Sequence, residues 1–187
     1  MESWIVVIVV VVVVLGVGAW LAAKYNGLVA LRNRAEQAWA DIDVMLTRRH
    51  DLIPNLVETV KGYASHERDT LEAVIQARNT AVSATGPRDQ AAAEVGLTGA
   101  LRQLFAVAEA YPDLKADQNF RELQQELTST EDGIATARRT YNANVQVYDT
   151  EREQFPTNII AGIFNFEEME YFTVDDPESR EPVKVEF

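Results

Sequence analysis

The run Ile5–Ala23, uncharged and dominated by valine and isoleucine, constrains this chain more than any other stretch. At ~1.5 Å per residue its roughly 19 residues make about 28 Å of helix, close to the hydrocarbon thickness of a bilayer. Valine is a mediocre helix former in water, but a lone segment in lipid must satisfy its own backbone, and only a helix does so. Trp4 and Trp20 lie near the two ends, where indole favours the membrane interface. A cleavable signal peptide is the rival reading, but it wants a basic N-terminal flank and a shorter apolar stretch, whereas this chain opens Met1-Glu2-Ser3. With no cysteine, a lipoprotein anchor is excluded. Lys24, Arg32 and Arg34 follow the run, so the positive-inside rule places the C-terminal part in the cytoplasm and residues 1–4 outside as a tip.

The remainder of the 187 residues is one domain's worth of chain and can bury a core. The absence of cysteine also rules out a disulfide framework and thiolate chemistry. A net charge of −12 argues against a nucleic-acid partner, which would need a basic footprint. Such an acid excess also suits a salt-rich cytosol.

Glycine and proline are sparse after the anchor and the segments between them are long, which reads as all-α. The first helix continues out of the membrane on Leu28, Leu31, Ala35, Ala38, Ile42, Met45, Leu52, Leu56 and Val60, spaced by three and four. Pro54 lies inside this pattern, removes a backbone donor, and predicts a kink or local break near Asp51–Pro54. The helix is expected to end around Lys61-Gly62. Ser65 then caps a second helix reaching about Ala84, with Leu71, Val74, Ile75 and Val82 inward. The alternative is that the first two helices form one continuous element. Thr85-Gly86-Pro87 reads as a turn, and a third helix runs from about Arg88 to Tyr111 on Val95, Leu101, Leu104, Phe105 and Ala108. Gly96 and Gly99 within it predict close approach of a neighbour.

The fourth helix, about Asp117 to Gln154, repeats Phe120, Leu127, Ile134, Tyr141, Tyr148 and Phe155 at seven-residue steps, with Leu123 and Ala137 beside them. Thr130, Asn144 and Glu151 interrupt the companion series, so the seam belongs to a bundle core and not to a free coiled coil. The expected architecture is a transmembrane helix followed by an antiparallel four-helix up-and-down bundle over residues 24–155, with an irregular C-terminal tail. The second and third helices are too short to cover the whole length of the first and fourth, which leaves an apolar seam near the membrane. The aromatic and apolar stretch 156–174 is the natural cover. It folds back on its own bundle, packs on a neighbouring subunit, or rests at the membrane surface. Residues 175–187 are acidic and proline-bearing and read as disordered.

Several stretches carry a resemblance. Tyr25-Asn26, Gln37-Ala38-Trp39-Ala40-Asp41-Ile42-Asp43, Arg48-Arg49-His50-Asp51-Leu52-Ile53-Pro54-Asn55-Leu56-Val57, Gly62-Tyr63-Ala64, Tyr141-Asn142 and Phe155-Pro156 with Asn158-Ile159-Ile160-Ala161 closely resemble the LemA family. The resemblance covers nearly the whole chain from the anchor to Phe172. It implies a single N-terminal membrane helix, an extracellular tip and a cytoplasmic four-helix bundle, with relatives in magnetosome membranes and no established enzyme activity.

Signals for chemistry are few. The two histidines, His50 and His66, do not form a helical metal pair, and no phosphate loop or nucleophile motif is present. No catalysis, cofactor or metal is therefore expected. The reading adopted is a membrane-anchored scaffold that assembles laterally with its own copies and organises or shapes a membrane region, with the bilayer and other membrane proteins as partners. Its interface candidates are Trp39, Arg48, Arg49, Phe155, Ile159, Ile160, Ile163, Phe164 and Phe166, because tryptophan, arginine and aromatic anchors favour interfaces. The alternative is a monomeric adaptor that docks one cytoplasmic partner. A third reading makes His50 a phosphoacceptor flanked by Arg48 and Arg49.

Overall fold

The computed structural model describes residues 2–173, so the expected disordered tail at 175–187 lies outside the described residues. The described chain is all-α: α1 Glu2–Tyr63, α2 Arg68–Ser83, α3 Gly86–Ala108, α4 Pro112–Ala116, α5 Gln118–Glu153 and α6 Thr157–Ile163. α1 is a single helix of 62 residues that carries the apolar run and continues through Pro54, so no local break interrupts it there. The anchor's apolar side chains are exposed, as expected of a segment whose packing partner would be lipid.

The first two helices are separate. The N–H of Ala64 still donates to Val60 O at 2.8 Å, and the N–H of Glu67 donates to Ala64 O at 3.1 Å, closing a turn. Ala64 is the buried corner of that turn. α2 therefore starts at Arg68, later than a Ser65 cap would place it, and Glu67 instead accepts from Tyr111 Oη at 3.0 Å. Gly86 opens α3 with φ +81°, a backbone angle that L side chains rarely adopt, and Pro87 follows where its missing N–H costs nothing. Asp117 starts α5 by accepting from the Phe120 N–H at 2.9 Å.

The chain divides into two units. Unit 1 comprises Met1–Ala40 and Arg139–Met169, and unit 2 comprises Asp41–Arg138 with the described residues from Glu170 onward. α1 and α5 contribute to both.

Unit 2 is a four-helix core. Ile53, Leu56, Val57 and Val60 of α1 meet Leu71, Val74 and Ala81 of α2, Leu97, Leu101 and Leu104 of α3, and Phe120 and Leu127 of α5. Burying each such side chain contributes roughly 1.5–3 kcal/mol relative to exposure. Three sequence expectations are corrected here. Ile75, Val82 and Val95 face outward, because the buried stripes run through Val74 and Ala81 on α2 and through Glu94 and Leu97 on α3, and these valines and the isoleucine lie one position off them. Gly96 and Gly99 have open space where a Cβ would stand, so neither marks a close helix approach. That role belongs to Gly133, whose added Cβ would lie 3.3 Å from Met45 Sδ.

Unit 1 pairs the Leu28–Ala40 stretch of α1 with the last turns of α5, and neither α2 nor α3 takes part. Leu28, Tyr148, Ala161 and Phe166 form its core, with Val29, Leu31 and Met169 against them. The segment after α5 thus folds back on its own chain, as one of the three sequence readings held. The heptad series is buried from Phe120 through Tyr148, but Phe155 is exposed, since α5 has ended at Glu153 and helical register no longer governs it.

Candidate functional site

Unit 1 holds the first candidate, built on α6. The short helix presents Thr157, Ile160 and Ala161 inward and Ile159 and Ile163 outward, as helical periodicity requires. Tyr25, two residues past the apolar run, meets Phe164 edge-on with ring centroids 4.8 Å apart and Phe166 at 5.5 Å. Arg32 lies 5.6 Å from the Phe166 centroid, a cation–π contact. Tyr148 Oη donates to Glu167 O at 2.7 Å and fixes the chain's exit from α6. The end of α5 is tied to the foot of α1 by Lys24, whose Nζ donates to Glu151 Oε1 at 2.7 Å, and Thr157 Oγ1 donates to the same oxygen. Glu151, which broke the companion heptad series, is thus the residue that pins the helices together. The Lys24 hydrogen bond holds its carboxyl below the usual glutamate range. Asp149 is the opposite case: burial raises its carboxyl above the usual range, against the Met169 N–H and Arg152.

The interface candidates divide accordingly. Phe155, Ile159, Ile163 and Phe164 are 80, 53, 70 and 57% exposed and make an outward apolar row around α6: Ile159 and Ile163 stand one turn apart on the helix, Phe155 precedes it and Phe164 is its C-cap. Ile160 and Phe166 are corrected: both are buried in unit 1, where α6 closes on Leu28 and Tyr148, and neither is available to another subunit. Trp39 is half-buried on its own chain with its ring 5.4 Å from Tyr141, so the monomer accommodates more of it than the sequence implied. Trp4 and Trp20 are exposed at the two ends of the apolar run.

Unit 2 holds a buried polar cluster that the sequence reading missed. Glu94 of α3 is 6% exposed and accepts from Arg49 Nη1 at 3.1 Å and from Gln90 Nε2 at 3.1 Å. His50 Nε2 lies 2.7 Å from Glu94 Oε1, the oxygen that also accepts from Gln90. Arg49 Nη2 donates to Thr98 Oγ1 at 2.9 Å, and Arg78 Nε donates to the His50 carbonyl at 3.3 Å. Arg49 is therefore corrected as a subunit contact: it is buried because Glu94 neutralises it inside the bundle. Arg48 is exposed and pairs with Glu126. His50 as a phosphoacceptor between two arginines finds no support in this arrangement, since its Nε2 is engaged by Glu94 and Arg48 turns to another helix. The signal was present in the sequence: Gln90 and Glu94 stand in step with Leu97, Leu101 and Leu104, so two polar residues occupy an apolar stripe. No cluster of three or more His, Asp or Glu suited to a metal occurs among the described residues.

Arg49, Glu94 and Thr98 also line an open cleft of about 410 Å³ together with Arg102, Arg138 and Phe172.

The sequence profile of the LemA family matches residues 38–187. Magnetosome protein MamQ 2 of Paramagnetospirillum magneticum is 29% identical over 188 aligned residues, which cover 85% of this chain and 69% of the relative. Magnetosome protein MamQ of Magnetospirillum gryphiswaldense is 26% identical, covering 81% of this chain and 65% of that one. Protein LemA of Metamycoplasma hominis is 28% identical over 84% of this chain and 76% of its own length. The long apolar helix and these relatives together support membrane association. With the profile matched over most of its length and the family's stretches placed on α1, α5 and α6, the chain belongs to the LemA family.

Proposed function

We propose that this protein is a membrane-anchored scaffold that assembles laterally with copies of itself and organises or shapes a patch of membrane, without catalysis of its own. The carrying observation is the outward row Phe155, Ile159, Ile163 and Phe164. Large apolar side chains exposed together in one short segment of a soluble surface mark a contact site. Tyr25 meets Phe164, one member of this row, just past the end of the apolar run, at a depth where neighbouring anchors in one bilayer would meet it. The naming of two relatives as magnetosome proteins agrees with work at a membrane. Lys24, Arg32 and Arg34 support a cytoplasmic C-terminal part by the positive-inside rule.

The same contact with Tyr25 favours a second reading, in which the row rests in the lipid interface of its own membrane. Native mass separates the two. The full-length protein is extracted in mild detergent at low and high salt, beside Phe155→Ser/Ile159→Ser/Ile163→Ser. A defined oligomer that falls apart in the variant supports the scaffold. A monomer in both rejects it and leaves an interfacial foot on a monomeric adaptor.

A further inference from the structure

The cleft in unit 2 is in the size range of small-ligand pockets, about 300–1,000 Å³. Arg102 of α3 and Arg138 of α5 line it, and neither has a hydrogen-bond or ion-pair partner among the described residues. Among the described residues Arg34, Arg68, Arg88 and Arg139 share that state, but Arg102 and Arg138 are brought together in one cleft, which Glu131 also lines without bonding either guanidinium. The third arginine of the cleft, Arg49, is committed to Glu94 and Thr98, so its charge is already answered. Val95, Ile134 and Phe172 supply an apolar wall.

We infer that this cleft is a binding site for an oxyanion of the phosphate or carboxylate class, clamped between Arg102 and Arg138. Guanidinium groups present paired N–H donors that match the oxygens of a phosphate or carboxylate, and such charge-assisted bonds are about twice as strong as neutral ones. The apolar wall suits an oxyanion carried on an organic body. Two sources share this chemistry. One is a free phosphate or phosphate ester. The other is the chain itself, whose sequence continues two residues past Thr173 into Asp175, Asp176 and Glu178. The inference is independent of lateral assembly, since the row on α6 takes no part in the cleft.

Inorganic phosphate is the probe. It is titrated against the full-length protein in a phosphorus-free detergent and followed by ³¹P line broadening. Arg102→Gln, Arg138→Gln and the tail variant Asp175→Asn/Asp176→Asn/Glu178→Gln are compared with the parent. Arg102 is exposed and Arg138 half-buried without partners, so both substitutions spare the core, and an unchanged Tm checks this. Saturable binding to the parent that weakens at least tenfold in each arginine variant assigns the site to a free oxyanion. Binding that emerges only in the tail variant, and is again lost with either arginine, assigns the clamp to the chain's own carboxylates. Binding that ignores both arginines, or none in the parent and the tail variant alike, overturns the inference.

Discussion

The two units bury apolar surface in different ways. Unit 2 closes on itself: four helices contribute to one aliphatic core, and its exposed apolar residues Val44, Ile75, Val82 and Val95 are scattered, as on any soluble protein. Unit 1 has two long helices and only about two turns of α6, so its core is smaller and relies on Tyr148 and Phe166. Closing that core requires α6 to turn Ile160 and Ala161 inward, and the same helix then has to show Ile159 and Ile163. The comparison teaches that a helix too short to be amphipathic over its whole sequence covers one seam by creating another. In unit 1 the apolar surface is relocated outward, next to the membrane anchor.

The units also differ in how they treat buried charge. In unit 2, Glu94 answers Arg49. Glu94→Ala would leave that guanidinium buried and unpaired, and is expected to destabilise unit 2 by about 3–5 kcal/mol. Loss of hydrogen-exchange protection along α3 reads this directly, and unchanged protection would mean the pair is incidental. Within the aliphatic core, Leu104→Ala should cost about 2–5 kcal/mol, since Leu104 is completely buried among close-packed neighbours. A loss below 1 kcal/mol would show that unit 2 is loosely packed and that the contrast with unit 1 is overdrawn.

Unit 1 should respond to polar changes on a smaller scale. Tyr148→Phe removes the hydroxyl that donates to Glu167 O and should cost about 0.5–1.5 kcal/mol, with faster exchange in the segment after α6. Smallest is the pH response. Glu151 has a lowered carboxyl, so its contribution is present above the ordinary glutamate range and is lost as pH falls through its folded value. Asp149 has a raised one, so its contribution is full below the ordinary aspartate range and is lost as pH rises through its folded value. The two oppose on acidification. Asp149→Asn removes the opposing contribution and should therefore make the Tm fall more steeply between pH 7 and pH 4. A shallower fall would reverse the assigned signs.

Long-range order was legible where the pattern is long. The apolar run, the three-and-four spacing of α1 and the heptads of α5 each predicted a helix that the structure contains, and the shortness of the second and third helices predicted that part of α1 and α5 would need another cover. What escaped was set by tertiary packing. Ile75 and Val82 are apolar but stand beside the stripe that α3 contacts, and propensity cannot tell a stripe's centre from its flank. Arg49 and Glu94 are far apart in the sequence, and only the folded chain makes a buried pair of them. Arg102 and Arg138 carry no local signal at all, because only the folded chain brings the two guanidiniums to one cleft.

The central claim is that the outward row on unit 1 faces another copy of the chain. The absence of cysteine permits a clean measurement in intact membranes. Ile163→Cys is compared with Val82→Cys, an exposed valine of unit 2, using a short thiol crosslinker. The account predicts covalent dimers from position 163 and none from position 82. Crosslinking at 82 with none at 163, or at neither, would contradict it.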